Sequence, residues 1–428
     1  GAVDFSIPVE ATKVKVGGLL NNRNRDFSAR VLAMVLANPS NSALTLQSPD
    51  TIFSEKNIGA QGFLMDELTN ENDRYDASEN VGAAYAMADV PFGELRIIGG
   101  IRYEHTLTRL NSAYIGGGEV HYIREYNDIL PSLNFIYALN EQMNLRAAVS
   151  QTVSRPEFRE IAPFSFYDFD IGSLVQGDTS IERSLVRNLD FRYEWFPTAG
   201  ELISVSVFHK QFGLNGFMGL GDTSQFEGGA IESTVQGSNS IRSWANSSKP
   251  AINYGVELEL RKNLGFIVND FNVFLLTFNY SRTFSEVDVS DLTAGQGPKV
   301  RPMQGQSPFT VNVGLLYTHP SWGTSINALY NTFGKRLVEV NPYSGNIFEY
   351  PRNVFDLTIS QPFLDRFELK FSAKDIIAQT QYFGSDNFVV DDAKAFDFTK
   401  DPLSQSASLY DKYNRKGAVY SLSFSVKL

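Results

Sequence analysis

Two-residue alternation sustained over long segments, joined by links that are short and long in strict turn, most limits what this chain can fold into. Near the end of the sequence Tyr420, Leu422, Phe424, Val426 and Leu428 alternate with Ser421, Ser423, Ser425 and Lys427. Leu189, Phe191, Tyr193 and Trp195 alternate with Asp190, Arg192 and Glu194, and Val256, Leu258 and Leu260 with Glu257, Glu259 and Arg261. Phe367, Leu369 and Phe371 alternate with Glu368, Lys370 and Ser372, and Phe274, Leu276, Phe278 and Tyr280 form another row. Neighbouring side chains of a strand point to opposite faces, so one face suits an apolar medium and the other water. A β-sandwich also alternates, but its strands usually run about five or six residues. Many segments here are longer, and about nine to eleven residues are enough to cross hydrocarbon as a strand.

The pattern gives about fourteen strands, near 11–35, 75–90, 94–108, 127–138, 142–152, 182–195, 201–213, 248–262, 269–282, 303–317, 322–335, 350–362, 365–378 and 416–428. Short links fall at Pro91-Phe92-Gly93, Asn140-Glu141, Pro197-Thr198-Ala199-Gly200, Asn263 to Asn269, His319-Pro320-Ser321 and Leu364-Asp365. Long ones cover roughly 36–74, 109–126, 153–181, 214–247, 283–302, 336–349 and 379–415. Outer-membrane barrels have short periplasmic turns and longer extracellular loops. On that rule the last strand runs from outside to periplasm, and the strand beginning near Ala11 starts on the periplasmic side. A propeller would show a repeat of about 40–45 residues, and none is present. The fold class expected is therefore all-β, a transmembrane antiparallel β-barrel.

Composition excludes several other classes. No run of apolar residues is long enough for a membrane helix, which needs about 18 or more. The net charge of −11, without a Lys/Arg cluster, argues against nucleic acid as a partner. Cysteine is absent, so thiolate metal sites, disulfides and cysteine nucleophiles are excluded. Aromatic residues make up 13% of the chain, with 33 Phe and 19 Tyr, while the mean hydropathy is slightly negative. A barrel with a wet lumen produces that mixture. The opening residues Gly1 to Glu10 lack the basic and apolar regions of a signal peptide, and the chain reads as starting in mid-protein.

Several segments resemble those of TonB-dependent receptors. Gly99-Gly100-Ile101-Arg102-Tyr103-Glu104 is similar to a frequent family strand, and Leu130-Pro131-Ser132-Leu133-Asn134 to the start of another. Ser154-Arg155-Pro156-Glu157-Phe158-Arg159 matches a segment leading into an extracellular loop, and Tyr254-Gly255-Val256-Glu257-Leu258-Glu259 resembles a later strand. Gln304 to Pro308 and Tyr330 to Arg336 look like two late-barrel signatures. These motifs occur in the family's order over nearly the whole chain. The resemblance implies a barrel of 22 strands with a plugged lumen, of which residues 1–428 would be the C-terminal part, with the plug and first strands elsewhere. The family usually ends in an aromatic residue, whereas this chain ends in Leu428.

The resemblance implies energised import of a scarce nutrient across a bacterial outer membrane. The partners implied are the TonB energising complex acting through a plug, outer-membrane lipid, a siderophore, vitamin, peptide or glycan, and a surface lipoprotein. No covalent chemistry and no cofactor are expected. The alternatives are a passive outer-membrane channel or secretion pore, and a soluble all-β carbohydrate-binding protein.

Candidate sites are few. His105, His121, His209 and His319 are scattered over different strands and turns, and metal ligands must converge. Gly213, Gly216, Gly219 and Gly221 lie in a long loop and open no helix, so a phosphate cradle is not expected. Gly116-Gly117-Gly118 reads as a loop tip. Phe166, Tyr167, Asp168 and Asp170 place aromatics beside carboxylates in a long loop, where binding residues concentrate; they are the candidate ligand-binding residues. Asp168 and Asp170 lack the third ligand a calcium loop needs. Asp391, Asp392 and Asp397 mark a second acidic loop. Arg192, Glu194, Glu257, Glu259 and Arg261 are expected to face the lumen and to pair across strands or meet the plug.

Overall fold

The computed structural model describes residues 1–114, 117–168, 173–213, 227–229, 241–246, 249–290, 299–340, 346–385 and 412–426. Its main element is one antiparallel wall in which sequential strands are spatial neighbours. In chain order the strands are β1 (Ala2–Val9), β2 (Thr12–Ser28), β3 (Arg74–Phe92), β4 (Leu95–Ala113), β5 (Glu119–Asn140), β6 (Met143–Ser154), β7 (Ser184–Trp195) and β8 (Leu202–Phe212). They continue as β9 (Ala251–Asn263), β10 (Phe274–Asp288), β11 (Phe309–Thr318), β12 (Ser325–Phe333), β13 (Asn353–Phe363), β14 (Phe367–Lys374) and β15 (Val419–Val426).

The register carries each apolar row across the wall as a continuous band. Leu189 stands opposite Val149 and His209, and Phe191 opposite Ala147 and Val207. Leu258 faces Val205 and Tyr280, and Leu260 faces Ile203 and Phe278. A one-residue slip would move a strand's whole apolar set to the other face, so this agreement over many neighbours fixes the pairing. The apolar face stays open, with Leu189 57% exposed and Leu422 69% exposed.

Four departures from the sequence reading have physical causes. β1 is an additional strand, paired with β2 from Ala2↔Leu19 to Val9↔Thr12. Its alternation of Val3, Phe5, Ile7 and Val9 is regular but only eight residues long. The link expected over 109–126 is mostly strand: β4 and β5 pair from Leu95↔Tyr137 up to Ala113↔Glu119. Only 114–118 lies between them, and Gly117 and Gly118 (φ 104° each) sit at its tip. The strand expected over 11–35 ends at Ser28, and Leu32–Leu36 leaves the wall to pair with Phe63–Glu67 in the loop that follows. At the other end of the wall, residues 264–273 form two short 3₁₀ turns rather than a plain link.

β3, β4 and β5 have 19, 19 and 22 residues. At about 3.4 Å per residue each exceeds about 60 Å, well beyond a hydrocarbon layer about 30 Å thick. Their ends near the long loops therefore rise clear of such a layer. Among the described residues, β1 pairs only with β2 and β15 only with β14. In an antiparallel path of fifteen strands the two edges run in the same direction, so they cannot join each other as antiparallel neighbours. No helix among the described residues is long and apolar enough to cross a membrane.

Candidate functional site

The face opposite the apolar band carries two clusters, at different heights. The lower one begins with Arg192 on β7. Its guanidinium donates to Glu194 (2.9 Å), to Glu259 on β9 (2.8 Å) and to Ser206 on β8 (3.2 Å). Arg146 on β6 donates to the second oxygen of Glu194 at 2.6 Å. Alternation places these residues on one face, and cross-strand register brings them within reach. A recess of about 250 Å³ beside them is lined by Arg192, Glu257, Glu259, Asn279, Ser281 and Asn312. Paired charges with partial exposure make this a wet, structured surface. The expected sidedness of Asp190, Arg192 and Glu194 matches this arrangement.

The upper cluster is built by the 155–183 loop, which packs against the same face. Phe158, Ile161, Ala162, Phe164 and Ile181 are buried with Tyr75 and Ala77 of β3, Leu110 of β4 and Tyr122 of β5. Phe27 of β2 stacks on Tyr75 at 5.0 Å and meets Phe164 edge-on at 4.8 Å. A charged seam borders this apolar knot. Arg155 donates to Glu104 (2.6 Å) and approaches Asp128 (3.5 Å), while Arg183 donates to Asp128 at 2.7 Å. The Asp128 side chain is fully buried. Arg183 also lies 4.4 Å over the Tyr126 ring, and Arg23 lies 4.3 Å over Phe158 while pairing with Glu157 at 3.1 Å. A buried carboxylate is tolerated when paired and hydrogen-bonded, and two arginines satisfy that need here.

The loop's own geometry is compact. Phe158–Ile161 makes one helical turn, with the Glu157 amide donating to the Glu160 carboxylate at 2.8 Å. The returning chain crosses this turn at Gly177, where a Cβ would sit 2.1 Å from the Ala162 carbonyl oxygen, so only glycine fits. Asp178 N–H then donates to the Glu160 carbonyl at 2.7 Å. Burial pushes the Glu160 carboxyl above its ordinary value, an effect opposed by the Glu157 amide.

Of the candidate residues, Phe166, Tyr167 and Asp168 lie on the strand Ser165–Asp168, which pairs with Ser173–Gln176. Tyr167 stands opposite Leu174 and Asp168 opposite Ser173. That hairpin continues into Ile241–Ala245 from the next long loop, whose Trp244 packs on the upper cluster. Asp170 lies outside the described residues, as do Asp391, Asp392, Asp397, Gly216, Gly219 and Gly221. Sequence reasoning missed the seam of Arg155, Arg183, Asp128 and Glu104. Its available signal was Arg155 directly after a strand, together with an acidic residue on the wet face of β5.

A family model described as TonB dependent receptor-like, β-barrel, matches residues 22–376. The chain belongs to the TonB-dependent receptor-like β-barrel family. No curated protein matches it in sequence. Among solved structures, a mutant of the ferric enterobactin receptor from Pseudomonas aeruginosa, in complex with enterobactin, superposes with TM-score 0.55 at 15% identity, covering 89% of this chain and 48% of that one. The unliganded ferric citrate transporter gives 0.55 at 14% identity, covering 90% and 50%. The ferric-catecholate import receptor of E. coli K12 gives 0.57 at 12%, covering 89% and 50%. At such identities the likeness shows the fold alone, and this chain spans about half the length of those receptors. As a TonB-dependent receptor barrel, the wall is a transmembrane antiparallel sheet: its apolar band faces lipid, its polar face lines the lumen, and the described parts of the 155–183 loop pack on that polar face.

Proposed function

We propose that this chain is the C-terminal part of the barrel of an outer-membrane transporter that imports a scarce nutrient, using energy delivered from the inner membrane by TonB. The family match over 22–376 on a wall with one lipid-facing and one polar face carries this reading. Both wall edges run the same way, so antiparallel closure needs an odd number of further strands between them. About seven would give the 22 strands of plugged transporters. Bare edges in lipid cost several kcal/mol per unpaired backbone group, which supports a wall completed by strands outside residues 1–428. The plug belongs to that same remainder, and the energising complex acts through it.

Within this reading Phe166, Tyr167, Asp168 and Asp170 contact the incoming ligand. The hairpin that carries three of them rests on a loop anchored in the lumen, a fixed platform of the kind binding residues use. The ligand class is a siderophore, vitamin, peptide or glycan, and a surface lipoprotein is a further partner. The test is uptake of a panel of those four classes by cells with and without TonB, using the full-length protein and a Tyr167→Ala/Asp168→Ala variant. The reading expects TonB-dependent uptake of one class, reduced in the variant at limiting ligand while barrel assembly stays intact. TonB-independent leakage of many solutes would favour a passive pore instead.

A further inference from the structure

The turn between β9 and β10 differs from its neighbours at the periplasmic end of the wall. Its immediate neighbours, β7–β8 and β11–β12, are joined by six residues each and β1–β2, β3–β4 and β5–β6 by two, whereas 264–273 spans ten. It exposes four large apolar side chains together: Phe266 (68%), Ile267 (59%), Val268 (49%) and Phe271 (43%). Exposed apolar groups clustered in this way mark a contact surface.

The orientation of this turn is fixed. Lys262 stands opposite Leu276, a member of the lipid-facing row, and pairs with Glu201 at 2.6 Å. The Lys262 ammonium lies 5.5 Å over the Phe266 ring, so Phe266 is on the lipid side. Phe271 meets Phe274 edge-on at 5.8 Å, and Phe274 contacts Tyr317 at 5.1 Å in the same lipid-facing row. The aromatic line continues through His319, which stacks on Trp322 at 4.5 Å. The turn is also preorganised. Asn263 donates to the Asn272 carbonyl at 2.5 Å and accepts from Gly265 N–H at 2.8 Å. A Cβ at Gly265 would crowd both asparagines.

We propose that residues 264–273 are a membrane foot whose apolar side chains lie at the headgroup–acyl boundary of the periplasmic-side leaflet. The occupant is glycerophospholipid. The argument is continuity: the foot leans outward and extends the aromatic line of an established lipid-facing surface, and aromatic rings favour that depth. Its nearest basic group, Lys262, is already neutralised by Glu201, and the segment's one charged residue, Asp270, is exposed, so its carboxylate stays in the headgroup water while the apolar side chains around it insert.

The chain has no cysteine, so a nitroxide on Ile267→Cys of the full-length protein reports this position alone if the remainder is also cysteine-free or made so. In phosphatidylethanolamine/phosphatidylglycerol vesicles, collisions with oxygen and with a polar nickel complex are compared against labels at Leu315→Cys in the wall and Glu141→Cys in the exposed two-residue turn between β5 and β6. The proposal expects the label at 267 to lose nickel collisions while keeping oxygen collisions, falling between the controls and nearer Leu315. Nickel accessibility equal to that at Glu141 would overturn it. Loss of both collision types only when other envelope proteins are present would also overturn it, assigning the foot to a protein partner. Control labels behaving as expected show that the variant has folded.

Discussion

Two long extracellular connections follow neighbouring parts of the wall and behave differently. The 155–183 loop turns into the lumen, buries Phe158, Ile161 and Phe164, and is pinned by a fully buried carboxylate between two arginines. The 29–73 loop folds mainly on itself. Its short hairpin and 3₁₀ turns leave Leu46 (86%) and Met65 (69%) exposed, and its main ion pair, Arg30–Glu67, sits in solvent. Length does not separate these loops; what separates them is whether the wall offers an apolar floor and a charge to meet. β3, β4 and β5 rise far enough to provide both.

The largest expected effect comes from the seam. Asp128→Ala leaves Arg155 and Arg183 without their shared buried acceptor, and breaking a buried pair this way costs roughly 3–5 kcal/mol. Limited proteolysis should then cut within 155–183 while leaving the wall intact. Protection as in the parent protein would show that apolar packing alone holds the loop. Next is the packing itself. Phe158→Ala should weaken the loop's attachment by about 3–5 kcal/mol, whereas Phe53→Ala in the outer loop should fall within about 0.5 kcal/mol. Comparable losses in the two loops, read by backbone hydrogen exchange, would erase the contrast.

The smallest effect is in pH response, and the two loops should move in opposite directions. Glu160 has a raised carboxyl, so its contribution is complete below the ordinary value of 4.5 and lost as pH rises through the folded value. Glu67 is held down to about 2, chiefly by its hydrogen bond from Arg30. Its contribution is therefore present above 4.5 and lost as pH falls toward about 2. Exchange at the Asp178 and Leu68 amides, which bond to Glu160 and Val31 carbonyls, reads each loop once intrinsic rates are removed. Glu160→Gln should abolish the first trend and Glu67→Gln the second. Trends of the same sign would contradict the assignment.

The two faces of the wall were legible because a strand's period is two, so Leu189 to Trp195 declares its sides without any neighbour. The alternation of link lengths was legible only in part: the connection between β4 and β5 shrinks to 114–118, shorter than the ten residues of 264–273. β1 escaped because eight residues of alternation carry little weight alone and gain meaning only from β2. The 109–126 link was misread because the outward row of β4 and β5 becomes polar beyond the lipid band, where Arg109, Asn111 and His121 stand exposed in place of apolar side chains. The seam was not legible, since Arg155 and Arg183 lie 27 and 55 residues from Asp128 and meet it only once the wall has formed. The lower cluster was half legible: alternation put Arg192 and Glu259 on one face, but only the register across β8 brings them to 2.8 Å.

The central claim is that this wall stands in a membrane with its apolar band in lipid and its charged rows in the lumen. The direct measurement places a fluorophore in turn on Leu189→Cys, Asp190→Cys, Phe191→Cys and Arg192→Cys of the full-length protein in vesicles and records quenching by lipids brominated on their acyl chains. Strong quenching at 189 and 191 with little at 190 and 192 is the predicted result. Strong quenching at 190 and 192, or none at any of the four, would contradict it.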